Sequence, residues 1–154
     1  MTFRIQGLPA APFADLFSLS DAELASRGAM RKIADKEPGY PCRISLTDAK
    51  VGTNVILAHY EHHPVDSPFR ASFAIYVREG ETTYDEVDQI PEQLRLRLLS
   101  VRAFDEHGML VDAEVVEGRD LEGAITRLFG DGRSAYLHAH YAKPGCYAAR
   151  IERA

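Results

Sequence analysis

Tyr136-Leu137-His138-Ala139-His140-Tyr141-Ala142-Lys143-Pro144-Gly145-Cys146-Tyr147-Ala148-Ala149-Arg150-Ile151 is the stretch on which the fold turns. Its first half alternates, so Leu137, Ala139 and Tyr141 share one face of a strand while Tyr136, His138 and His140 share the other. Lys143-Pro144-Gly145 is a turn sequence, and Cys146 to Ile151 reads as the returning strand. A two-residue loop would set Ala139 against Arg150 and His138 against Ile151, mixing polar and apolar on both faces. A three-residue loop sets Leu137 against Ile151, Ala139 against Ala149 and Tyr141 against Tyr147, which makes one face wholly apolar. The other face then gathers His138 opposite Arg150, His140 opposite Ala148, and Cys146 beside the turn. A slip of one residue exchanges the two faces, so burial selects the three-residue loop.

Upstream, the same period of two recurs. Cys42, Ile44 and Leu46 alternate with Arg43, Ser45 and Thr47, and Ala71, Phe73, Ile75 and Val77 alternate with Arg70, Ser72, Ala74, Tyr76 and Arg78. Residues 55–60 (VILAHY) are apolar on both parities, as in an interior strand covered on both faces. Asp105-Glu106-His107-Gly108 is a turn between the strands 101–104 and 109–113. Helices are short. Ser20-Asp21-Ala22-Glu23 is a capping box closed downstream by Gly28, Phe13, Leu16 and Phe17 give one helical turn, and Leu121, Ile125, Leu128 and Phe129 form a helical stripe. Pro91 opens a further helix over 92–99, although Leu94, Leu96 and Leu98 also alternate as a strand would. Strands outnumber helices and short turns join them, so the expected architecture is α+β, a single domain over 1–154 with a largely antiparallel sheet. The length of 154 residues and the ordinary balance of 45% hydrophobic and 27% charged residues agree with one core.

The formal charge of −5 works against non-specific nucleic-acid binding, so no nucleic-acid partner is expected. The acid excess lies in residues 78–154, chiefly at Glu79, Glu81, Asp85, Glu86, Asp88 and Glu92. No apolar run is long enough to span a bilayer and the N-terminus lacks a signal-peptide core, so no membrane partner and a cytoplasmic location are expected. Cys42 and Cys146 are then expected to be reduced thiols.

Three chemistries compete for the histidine face. Imidazoles at i and i+2 on a strand converge, so His138 and His140, with His62, Glu61 or His63 as a third ligand, suit a divalent metal, but no HExxH or paired CxxC motif is present. A thiol nucleophile at Cys146 with His138 or His140 as base is a second arrangement. Anion binding is the third: Arg43, Arg70, Arg78 and Arg150 lie on polar strand parities, with Ser72 and Lys143 nearby, and the guanidinium fork suits carboxylate or phosphate. Against all three stands the plain alternative of structural histidines, a buried cysteine and arginines on a solvated face, in a chain with 14 arginines and 4 lysines. The functional reading is a small-molecule enzyme or ligand-binding domain whose pocket joins His138, His140, Cys146 and Arg150 to Glu61, His62 and Arg70. Its rival is a non-catalytic interaction domain that presents the acidic segment from Glu79 to Glu92 to a partner.

The segments 41–49 (PCRISLTDA), 60–62 (YEH), 66–72 (DSPFRAS) and 138–146 (HAHYAKPGC) together resemble the bacterial family known as domain of unknown function 1203. The resemblance covers essentially the whole chain and implies a stand-alone bacterial domain whose recurrent motifs include these polar residues. It implies no activity and brings no catalytic residue with it.

Overall fold

The computed structural model describes all residues from Met1 to Ala154. Its strands are β1 (Phe3–Gln6), β2 (Ala29–Ile33), β3 (Asn54–His63), β4 (Ala71–Val77), β5 (Asp85–Val87), β6 (Leu98–Phe104), β7 (Leu110–Glu117), β8 (Tyr136–Tyr141) and β9 (Tyr147–Arg153). Helices α1 (Asp21–Ser26), α2 (Glu92–Arg95) and α3 (Leu121–Phe129) are short, and 3-10 turns cover Ala11–Ser18 and Gly118–Asp120. Two antiparallel sheets result, one of six strands in the order β5-β1-β9-β8-β6-β7 and one of three in the order β2-β3-β4. The class is α+β, mostly antiparallel with few short helices.

Local chemistry explains the helix boundaries. The Ser20 hydroxyl accepts from the Glu23 amide while the Glu23 carboxylate accepts from the Ser20 amide, so both orphan donors are satisfied, and Gly28 leaves α1 with φ of 69°. In α3 the apolar stripe Leu121, Ala124, Ile125, Leu128 and Phe129 is fully buried. These side chains pack in one core with Leu137, Ala139, Tyr141 and Ile151, and so cover one face of the six-stranded sheet. A second core, containing Leu16, Leu24, Ile44, Ile56 and Ile75, joins the three-stranded sheet to the helices before it.

Four expectations are corrected. Residues 42–47 do not form a strand: only the single bridges Pro41↔Asp48 and Cys42↔Tyr76 occur there. The chain folds back on itself, with the Leu46 amide on the Cys42 carbonyl, the Cys42 amide on the Thr47 carbonyl and Leu46 at φ of 54°. The helix expected over 92–99 stops at Arg95, and Leu98 and Leu99 enter β6, because pairing with both β7 and β8 favours the alternation over the helical reading. Strand β3 is central in its sheet, but His59 is exposed and Leu57 only partly buried, so one of its faces is open.

The terminal hairpin is the fourth. Leu137↔Ile151, His138↔Arg150 and Ala139↔Ala149 pair as expected, yet His140 pairs with Tyr147 across a bulge. The loop is four residues, since the Tyr141 amide donates to the Cys146 carbonyl and the Gly145 amide to the Tyr141 carbonyl. Ala148 is the extra residue that restores the register, and its bulge exchanges the faces between it and the turn. Cys146 therefore joins the core of Leu137, whereas Tyr147 joins the histidine face.

Candidate functional site

The face of the six-stranded sheet turned away from α3 carries Tyr136, His138 and His140 on β8, with Arg102 and Arg150 directly opposite His138 on β6 and β9. The end of β3 lies against it. A bulge between Tyr60 and His63 disturbs the alternation there, and both His62 and His63 turn toward β8. Four imidazoles therefore meet. The His62 ring centroid lies 5.1 Å from that of His140 and 6.3 Å from that of His138, and His63 lies 5.1 Å from His138. Tyr147 stacks on His62 at 5.3 Å and an interplanar angle of 13°, and meets His138 edge-on at 4.9 Å.

The hydrogen bonds divide the four into two kinds. His63 is fully engaged, with Nδ1 donating to the Phe69 carbonyl at 2.9 Å and Nε2 paired with the Tyr136 hydroxyl at 2.6 Å. His140 Nδ1 donates to the Gly145 carbonyl at 3.0 Å. The Nδ1 atoms of His62 and His138 are buried with no partner. Burial drives the His138 imidazole down to about 2, and His63, His140, Arg150 and His62 push the same way. Burial likewise drives His140 down to about 3, with the Gly145 carbonyl opposing and Arg102, His62 and Arg43 reinforcing the fall. His62 falls to about 4 through burial, His63 and Arg102, against the pull of Glu61. His62, His138 and His140 are held neutral by desolvation in a cationic surround.

Of the expected site residues, His62, His138, His140 and Arg150 come together here. Arg150 stacks over Tyr136 at 4.1 Å and donates from Nε to Glu152 at 2.6 Å. His62, His138 and His140 are the side chains a metal would need, but no three of the chain's ligating side chains stand in a ready-made coordination arrangement. The other members of the expected pocket lie elsewhere. Glu61 and Arg70 form a two-pronged ion pair at 2.9 and 3.1 Å on the surface, with side chains 40% and 61% exposed. Each neutralises the other. Ser72 pairs with exposed His59 rather than with the cluster. Arg70→Ala is accordingly expected to change stability by no more than about 0.5 kcal/mol, as judged by the urea midpoint. The acidic segment is also partly committed, with Asp85 paired to Arg4 and Glu81 to Arg78.

Arg43, Lys143 and Cys146 mark a separate place, a cleft of about 560 Å³ between the two sheets. It is lined by Phe73, Ala74 and Tyr76 from β4 and by Leu96, Arg97 and Leu98 from the α2–β6 junction. The loop at Lys36 and the hairpin turn at Lys143 also line it. Arg43 is only 1% exposed, although it carries a full charge. Its Nε donates to the Tyr147 carbonyl at 2.7 Å, one terminal nitrogen to the Pro41 carbonyl at 2.5 Å and the other to Cys146 Sγ at 2.9 Å. None of these partners is a carboxylate. The Tyr141 ring gives further contact, 5.0 Å from the guanidinium carbon. Cys146 is therefore bound to an arginine, and the pairing with a histidine base is not realised, because the bulge at Ala148 turns it to the opposite face.

Of the cluster's principal members, strand alternation placed Tyr136 beside His138 and the metal reading included His63, whereas Arg102 and Tyr147 were not expected there, nor were Lys36, Phe73, Leu96 and Leu98 in the cleft. Arg102 had a signal, since it sits on the polar parity of the strand that pairs with β8. The cleft had none, because its sides come from segments far apart in the chain.

Two antiparallel sheets, a cluster of histidines at their junction and a basic cleft between them define an α+β protein with two distinct polar features. The chain belongs to the family described as protein of unknown function DUF1203, whose match spans residues 39–153. All four histidines fall within that span, as does the cleft apart from Lys36 and Pro38. No curated protein matches the chain, and no solved structure does. No helix is long and apolar enough to cross a membrane.

Proposed function

We propose that the protein binds a small anionic molecule in the cleft between its sheets, with Arg43, Lys36 and Lys143 supplying the positive charge. The observation that carries this reading is the sign of the lining. Lys36, Arg43, Arg97 and Lys143 are its ionisable cations and no acid is among its residues, in a chain whose formal charge is −5. Arg97 is held by Asp48, both of whose oxygens lie 3.0 Å from one guanidinium nitrogen. Arg43 has no acid, and neither lysine takes part in an ion pair. Three positive charges are left uncompensated around one concave space, where low-dielectric walls concentrate the field and favour an anion.

Thermal unfolding in phosphate and in small carboxylates tests the reading. Millimolar anion should raise the melting temperature with occupancy, reaching about 2.7 kcal/mol of stabilisation at a hundred times the dissociation constant. The double charge reversal Lys36→Glu, Lys143→Glu lies on exposed side chains and should remove the effect while leaving the anion-free melting temperature nearly unchanged. A wild-type protein that no anion stabilises ends the proposal.

A further inference from the structure

The walls of the cleft are as informative as its charge. Phe73 on β4 is 43% exposed, and Leu96 and Leu98, which line the same cleft, are 57% and 37% exposed. Their neighbours Leu94 and Leu99 are completely buried, so this apolar run had a core available and still leaves two leucines open beside the basic groups. Apolar surface gathered around a concave site marks a place that something else covers. The volume of about 560 Å³ lies within the range of small-molecule sites.

We infer that the ligand is an amphipathic monocarboxylate, with its head among Arg43, Lys36 and Lys143 and its hydrocarbon portion lying between Phe73 and the Leu96–Leu98 edge. The inference rests on the anion reading above and adds the chemical class. A carboxylate fits these surroundings better than inorganic phosphate. A phosphate dianion gives up its water at greater cost than a monoanion, and leucine and phenylalanine walls return nothing for that loss. A hydrocarbon tail takes the same walls out of water and gains by it.

The test is a chain-length series of unbranched acids, acetate, butanoate, hexanoate and octanoate, titrated calorimetrically into the full chain with octylamine and inorganic phosphate as controls. Affinity should rise about fourfold for each added CH₂ until the tail outgrows the cleft. Octylamine, with a tail one carbon longer and the opposite charge, should not compete with octanoate. Leu96→Ser, at a side chain already more than half exposed, should flatten the dependence on length without weakening acetate. Lys36→Glu with Lys143→Glu should weaken every acid. Equal affinities for acetate and octanoate, tighter binding of phosphate than of octanoate, or a slope that survives Leu96→Ser would overturn the inference and leave the anion reading standing. Failure of every anion to bind would remove both.

Discussion

Between pH 7 and pH 5 the protein is expected to lose about 4 kcal/mol of folding stability through His138 and His140 alone, each contributing ~1.4 kcal/mol per pH unit below 6.5. Both imidazoles are 2% exposed and sit far below their ordinary value of 6.5, at about 2 and about 3. In the unfolded chain they take up protons as soon as the pH falls through 6.5, while in the folded chain they remain neutral until much lower pH. The unfolded state thus binds more protons throughout this window, so stability is present above 6.5 and is lost as the pH falls toward the folded values. The strands packed on the pair maintain the effect, against the Gly145 carbonyl that accepts from His140 Nδ1. Strand β3 contributes His62 and His63, β6 contributes Arg102, β9 contributes Arg150 and Tyr147, and no carboxylate points in to favour imidazolium. His62, less buried, adds a smaller share in the same direction. Paired carboxylates lose their contribution at lower pH, as with Asp131, which Arg133 holds down at about 2, so the window belongs to the histidines. Urea unfolding at pH 7, 6 and 5 measures the loss. His138→Phe should reduce the slope by about one proton, and equal stability at pH 7 and 5 would show that the cluster is open to water.

How far this cluster could be read from the chain depended on which contacts are local. His138 and His140 share a face because strand periodicity alone requires it, and the apolar set Leu137, Ala139, Ala149 and Ile151 was enough to fix the outer part of the hairpin. The inner part was not legible. Ala148 and Ala149 are both fully buried, and two consecutive alanines carry no pattern to say which is the extra residue of a bulge. That ambiguity alone exchanged the positions of Cys146 and Tyr147. The bulge in β3 was hidden for a similar reason, since His62 and His63 are consecutive identical residues that strict alternation would have separated.

Residues 42–46 show a different limit. Cys42, Ile44 and Leu46 are all buried, as the alternation implied, but a segment that turns on itself within one core hides alternate residues as well as a strand does. Arg43 lies between them and was read as an outward-facing group by parity. Its burial depends on Pro41, Tyr147 and Cys146, two of them over a hundred positions away. The cleft has the same character: Lys36, Phe73, Leu96 and Lys143 meet only after the two sheets are in place.

Arg43 should be the most costly single side chain to remove. Arg43→Ala is expected to destabilise the protein by about 3–5 kcal/mol, from unpaired buried carbonyls at Pro41 and Tyr147 and from the space left beside Tyr141. Arg43→Met separates the two causes, because it refills much of the volume and supplies no donor. It should recover part of the loss and remain ~2 kcal/mol below the wild type, the cost of the unsatisfied carbonyls. Arg43→Lys retains the charge but lacks the planar fork, so it cannot reach both carbonyls and the sulfur at once and should fall between wild type and alanine. The effect should also be transmitted. Arg43 Nε holds the carbonyl of Tyr147, whose ring stacks on His62, so loosening that residue opens the histidine face to water. Arg43→Met should therefore lose stability less steeply between pH 7 and 5, because hydrated imidazoles recover part of their ordinary affinity for protons. Urea midpoints for the three variants at both pH values measure this, with an unchanged m-value as the check on two-state unfolding. A methionine variant as stable as the wild type, with the same pH slope, would show that the guanidinium holds neither the loop nor the cluster.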